Sequence, residues 1–105
     1  MAYNEGVMGF KAVKAQILGC LASGNVLHEA RNDIDIKNLL STGQISVENV
    51  SEIINRTTGT DYECSPHHII KDIEVHIIKK SYQGKDWYIK WYFVEPNSIF
   101  ISVHN

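Results

Sequence analysis

The sequence predicts an α+β fold in which N-terminal helices pack on a C-terminal antiparallel sheet of three to four strands. Two observations carry that expectation. Apolar residues recur at helical spacing as far as Thr57, and from Thr60 onward the period falls to two while β-branched and aromatic residues dominate. Strand signals also follow the helix signals instead of alternating with them, which argues against βαβ units. At 105 residues, 44% hydrophobic and 21% charged, the chain is expected to form one domain over residues 1–105 around one core.

The first helix is expected over 8–23. Phe10, Val13, Ile17 and Leu21 share one face, and Gly24 stands where a left-handed terminator is needed. A second, short helix is expected around Ile36, Leu39 and Leu40, ending at Gly43, with Asp33 or Asp35 to cap it. Ser46 followed by Val47, Glu48, Val50, Ile53 and Ile54 predicts a third helix starting at Val47 and failing near Thr57–Gly59. Strands are expected at Asp61–Cys64, broken by Pro66, then at Lys71–Lys80, Trp87–Glu95 and Ser98–His104. A turn containing Gly84 separates the second and third of these.

A net charge of −2 argues against bulk electrostatic binding of nucleic acid, although the charge is uneven. From Cys64 onward five lysines face four acidic residues and four of the five histidines occur, so a local anion site on the sheet is permitted. No apolar run reaches the roughly 18–20 residues that span a bilayer, and no signal-peptide pattern opens the chain, so a cytoplasmic location without membrane contact is expected. Cys20 and Cys64 belong to no C-x-x-C pair and are expected to be free thiols.

The last hairpin decides which side chains share a face. Pro96 cannot supply the positive φ of a type I′ or II′ loop, so a three-residue loop pairing Glu95 with Ile99 is expected. Tyr92 then lies opposite Ser102 and Lys90 opposite His104. Trp87, Ile89, Trp91 and Phe93 share the core face with Ile99, Ile101 and Val103. The other face displays Tyr88, Lys90, Tyr92, Ser102 and His104. Glu74 and His76 join it if Ile73, Val75 and Ile77 point to the core.

Metal-independent RNA cleavage needs a base for the 2′-hydroxyl proton, an acid for the leaving 5′-oxygen and a cation near the phosphorane. His76, Tyr88, Lys90 and His104 are the candidate catalytic set. Glu74, Tyr92, Ser102, His67 and His68 are candidate substrate contacts, and no cofactor is called for. Three other readings compete. A solvated sheet face displays lysine and tyrosine as a matter of course. Cys64, His67, His68 and His76 are metal-ligand types, yet no spacing matches a zinc motif, so no metal site is assigned. A Cys64 nucleophile would need a lowered thiol pKa that nothing in the sequence supplies, and His28 reads as a surface residue.

Several segments carry a family resemblance by their order and spacing. They are Ala22-Ser23-Gly24-Asn25-Val26, Thr60-Asp61-Tyr62-Glu63-Cys64-Ser65, Trp87-Tyr88-Ile89-Lys90 and Ile101-Ser102-Val103-His104. Together they resemble the MqsR-type messenger-RNA interferase toxins, relatives of the RelE-like ribonucleases, over most of the chain beyond Val13. The resemblance implies a RelE-like fold, an endoribonuclease activity and control by a cognate antitoxin or immunity protein. Tyr88 and Lys90 match positions of the family's active-site strand. The family's lysine after its aromatic pair falls on Cys64, its terminal-strand lysine falls on His104, and only Val75 is kept of its central strand motif. Retained activity would therefore shift acid–base work toward histidine. A different class also fits: a noncatalytic interaction protein, such as an immunity protein or mobile-element accessory factor, favoured by the acidic helical half.

Overall fold

The computed structural model describes residues 5–29 and 37–105, with side chains from Gly9 onward. Helix α1 spans Glu5–Ser23 and buries Ile17, Cys20 and Leu21, the face that the apolar spacing marks. It ends in a Schellman arrangement: Gly24 takes φ +80°, and the Asn25 amide donates to the Cys20 carbonyl at 2.9 Å. Helix α2, Val47–Asn55, starts as expected, with the Ser46 hydroxyl accepting the Asn49 amide at 3.1 Å and Val50, Ile53 and Ile54 buried. Its last carbonyls are served from the other helix, because Lys14 Nζ donates to the carbonyls of Asn55 and Thr57 at 2.9 Å each. Ser46→Ala is expected to cost about 1 kcal/mol, read as a lowered urea midpoint with an unchanged m-value.

The short helix expected around Leu39 and Leu40 does not form. Residues 37–39 instead join a sheet edge, where Asn38 bridges Val103, the Leu39 amide donates to Val103 at 2.7 Å and Val103 donates to Lys37 at 2.8 Å. Backbone groups engaged by a strand are not available to a helix, so Leu40 and Ile45 reach the core from a turn that Gly43 closes at φ +83°. Ile36 and the expected caps Asp33 and Asp35 lie outside the described residues.

The sheet has five strands: β1 Val26–His28, β2 Tyr62–Pro66, β3 Glu74–Tyr82, β4 Lys85–Val94 and β5 Asn97–His104. Their order is β1-β5-β4-β3-β2. All neighbours are antiparallel except β1 and β5, which run parallel with Leu27 opposite Ile99. The sheet is therefore mixed rather than wholly antiparallel, and larger than expected by the three-residue β1, too short to show a period. A short 3-10 turn, Gly59–Asp61, leads from α2 into β2, and Pro66 ends that edge strand instead of breaking it earlier. No helix among the described residues is long and apolar enough to cross a membrane.

Two hairpins determine the faces. Gln83 and Gly84, at φ +52° and +78°, form a two-residue connection between β3 and β4. Between β4 and β5 the loop is also two residues, Glu95 and Pro96, joined by a cis peptide bond, so that Val94 pairs with Asn97. A cis proline at the second central position makes a type VI turn, which needs no positive φ and so escapes the argument that favoured three residues. Pairing continues to Trp91 opposite Phe100. The register then shifts by one residue at Ile101, and Lys90 pairs with Ser102 and Tyr88 with His104.

The core lies between the helices and one sheet face, built from Ile78, Trp87, Ile89, Trp91, Phe100 and Val103. Ile99 and Ile101, expected in this core, are on the opposite face, and Phe100 takes their place. Ile73, Val75 and Ile77 are also on that opposite face, where Val75, Ile77, Tyr92 and Ile101 form a second, smaller buried cluster. The cause is the pairing of β3 with β4. Ile78 faces Ile89 and His76 faces Trp91, so the even-numbered residues of β3 join the core side.

Candidate active site

The shifted register brings together most of the polar face that the sequence indicates. Tyr88 and His104 are cross-strand partners with stacked rings, their centroids 5.1 Å apart, and the next pair along is Lys90 with Ser102. All four side chains are half-buried, on the face that carries Val75 and Ile77. Lys79 pairs with Tyr88 from the other side and forms an ion pair with Glu63 at 3.6 Å. The sequence reading missed Lys79 because it assigned Ile77 to the core; alternation along β3 from the correct face would have found it. Without the extra residue at Ile101, Ser102 and His104 would oppose Ile89 and Trp87 on the core side.

Glu74 and His76 are corrections. His76 is 5% exposed on the core side of the sheet, between the rings of Trp91 and Phe93 at 5.6 and 5.2 Å. The Tyr62 hydroxyl lies 2.7 Å from His76 Nδ1. Burial, reinforced by Cys64 and Glu74, pushes the Tyr62 phenol well above its usual range, so it stays protonated and donates to a neutral imidazole. Burial lowers the His76 pKa, and the Glu74 charge offsets this only in part. Glu74 lies near the Cys64 thiol, Oε2 to Sγ 3.7 Å. Burial and that carboxylate push Cys64 upward, the opposite of what a nucleophilic thiol requires. Cys20 and Cys64 are both free.

The lowered pKa of His76 gives a pH dependence of defined sign. The unfolded chain binds a proton at His76 near 6.5 and the folded chain only at lower pH, so this group's contribution to stability is constant above about pH 7 and falls as pH drops through 6.5 toward the folded value. The slope contributed there is at most about 1.4 kcal/mol per pH unit. Urea midpoints between pH 7.5 and 5 are expected to fall for the native chain, and more shallowly for His76→Gln, which keeps an acceptor for Tyr62.

His67 and His68 are positioned by the loop between β2 and β3. His67 is 3% exposed, and its Nδ1 accepts the amides of Ile69 and Ile70 at 3.1 Å each. Nε2 must then carry the proton, which it directs to Glu29 Oε2 at 3.1 Å. The Tyr92 hydroxyl donates to the same oxygen at 3.1 Å, with the His67 ring edge-on to Tyr92 at 5.2 Å. Burial, together with its bond to the Glu29 carboxylate, raises the Tyr92 pKa. His67 thus reaches the outer sheet face through Tyr92, but every ring nitrogen is committed to holding the loop. His68 is exposed and stacks on His67 at 5.1 Å. His28, exposed as the sequence suggests, meets the buried Asn38 amide at 3.0 Å. Among the described residues no three His, Cys, Asp or Glu side chains converge as metal ligands would.

The arrangement offers an imidazole, an ammonium, a phenol and a hydroxyl on one open strand pair, with two lysines on successive strands to receive negative charge. No protein-family model matches the chain, and no curated protein matches it.

Proposed function

We propose that the chain is a metal-independent endoribonuclease of the toxin type, acting in the cytoplasm with Tyr88, Lys90, Ser102 and His104 at its centre. The observation that carries this reading is the stacked Tyr88–His104 pair directly beside Lys90 and Ser102. His104 takes the proton of a ribose 2′-hydroxyl as that oxygen attacks the adjacent phosphorus, and the Lys90 ammonium offsets the charge developing on the phosphorane. The Tyr88 phenol protonates the departing 5′-oxygen, leaving a 2′,3′-cyclic phosphate and a 5′-hydroxyl. Lys79 and the Tyr88 ring hold the strand by charge and stacking. With His76 committed to the core, His104 is the one histidine left in the candidate catalytic set. The segments that resemble those of the MqsR-type toxins support the same reading and suggest an antitoxin or immunity protein as partner.

The test is cleavage of bulk cellular RNA in EDTA by the purified chain. Cleavage that survives EDTA, is lost in Lys90→Ala and His104→Ala, and persists in His76→Gln is the expected result. Absence of cleavage across several RNAs and pH values would instead favour a noncatalytic interaction protein.

A further inference from the structure

A cavity of about 510 Å³ opens on the helix side of the sheet, between the start of α2, the 39–45 turn, the β3–β4 hairpin tip and the end of β5. That volume lies in the range of small-molecule sites, roughly 300–1,000 Å³. Its base is apolar, formed by Ile45, Ile53 and Trp87, all buried, and Tyr82 forms a wall with the Arg56 guanidinium over its ring at 5.6 Å. The rim is of another chemistry: the carboxamides of Gln44, Asn49, Gln83 and Asn105, and the ammonium of Lys85. Lys85 carries the one charged side chain in the lining. Gln44 Nε2 donates to Thr42 at 3.0 Å, whereas the side chains of Asn49, Gln83 and Asn105 have no hydrogen-bond partner among the described residues.

Gln83 places a carboxamide at the hairpin tip, where its φ of +52° is what the two-residue turn requires. A carboxamide presents a donor and an acceptor side by side, which complements the paired groups on a nucleobase edge. An apolar base with aromatic rings suits a flat heterocycle, and the Lys85 ammonium suits its phosphate. A neutral sugar would satisfy the amides but leave Lys85 without a role.

We infer that this cavity binds one nucleotide, with the base against Trp87 and Tyr82, its edge read by the carboxamides, and its phosphate at Lys85. Trp87 precedes Tyr88 and Asn105 follows His104, so the cavity lies at the same end of the sheet as the proposed cleavage face, around its rim. The inference stands on the cavity alone and does not require that face to cleave RNA. The nucleotide is either free or one unit of a single strand.

Amide and indole NMR shifts of the ¹⁵N-labelled chain would be followed against 5′-AMP, GMP, CMP and UMP, against 2′-deoxy hexamers of each base, and against ribose 5-phosphate and methyl glucoside. The deoxy strands cannot be cleaved through a 2′-hydroxyl, so binding is read apart from catalysis. Saturable shifts of the Trp87 indole and the Asn49 and Gln83 side-chain amides with at least one base are expected. Affinity should weaken at least tenfold in Asn49→Ala with Lys85→Ala. Gln83→Gly, which suits the turn, should weaken it without loss of folding. Tighter binding of the hexamer than of its mononucleotide would assign the site to a strand, and the reverse to a free nucleotide. The inference fails if no nucleotide shifts these signals up to about 10 mM, if ribose 5-phosphate or the glucoside does so equally well, or if the variants bind as the native chain does.

Discussion

His104→Gln is expected to lower the rate of RNA cleavage by about 10²–10⁴-fold, the usual contribution of a positioned acid–base group. Glutamine keeps a polar side chain of similar reach, so the pairing with Tyr88 and the fold should persist while proton transfer is lost. Single-turnover cleavage of an excess-enzyme RNA complex, with binding followed separately, separates the two effects. A loss confined to the cleavage step supports His104 as the base, and an equal loss in RNA affinity alone would reduce it to a contact residue. Lys90→Ala is expected to impair the same step, since the ammonium acts on charge that appears only in the transition state.

Trp91→Ala is expected to destabilise the chain by about 3–5 kcal/mol, a large part of the 5–15 kcal/mol typical of such domains. Trp91 is fully buried at the centre of β4, against Phe93, Phe100 and the His76 ring, and nothing nearby can fill the space an indole leaves. Its Nε1 has no hydrogen-bond partner among the described residues, so part of the indole's burial is already unfavourable. Trp91→Phe, which removes that orphan donor and keeps a ring, is therefore expected to cost distinctly less than alanine does. Urea unfolding of both variants followed by far-ultraviolet circular dichroism checks the order; equal losses would mean that the retained ring does not fill the site.

Local sequence signals suffice where a few neighbouring residues decide the outcome. The Ser46 cap, the Gly24 terminator and the apolar face of Trp87, Ile89 and Trp91 all depend on residues within one or two turns or one strand. The expected helix at Leu39 failed because its backbone was claimed by Val103, more than sixty positions away. The assignment of His76 failed for a related reason. Val75 and Ile77 of β3, with Ile73 just before it, form the more apolar stripe, yet they serve the second cluster, while the Tyr62 hydroxyl makes a buried imidazole acceptable in the main core. Of the candidate site, Tyr88, Lys90, Ser102 and His104 were legible together because the expected and observed registers differ there by two residues, which preserves the face. Nearer the turn the difference is three, and Ile99 and Phe100 exchange sides.

The extra residue at Ile101 also means that β5 has a rival frame available. Sliding Ile101 into the ladder would remove the irregularity and regain pairing, at the cost of placing Ser102 and His104 against Ile89 and Trp87. Their polarity, with the removal of Val103 from the core, makes the rival frame unfavourable, so the side chains proposed to handle RNA also help mark the reading frame of their own strand. Apolar replacements at both positions would bring the two frames closer in energy and split the NMR signals of β5 into two sets, whereas polar replacements would keep one.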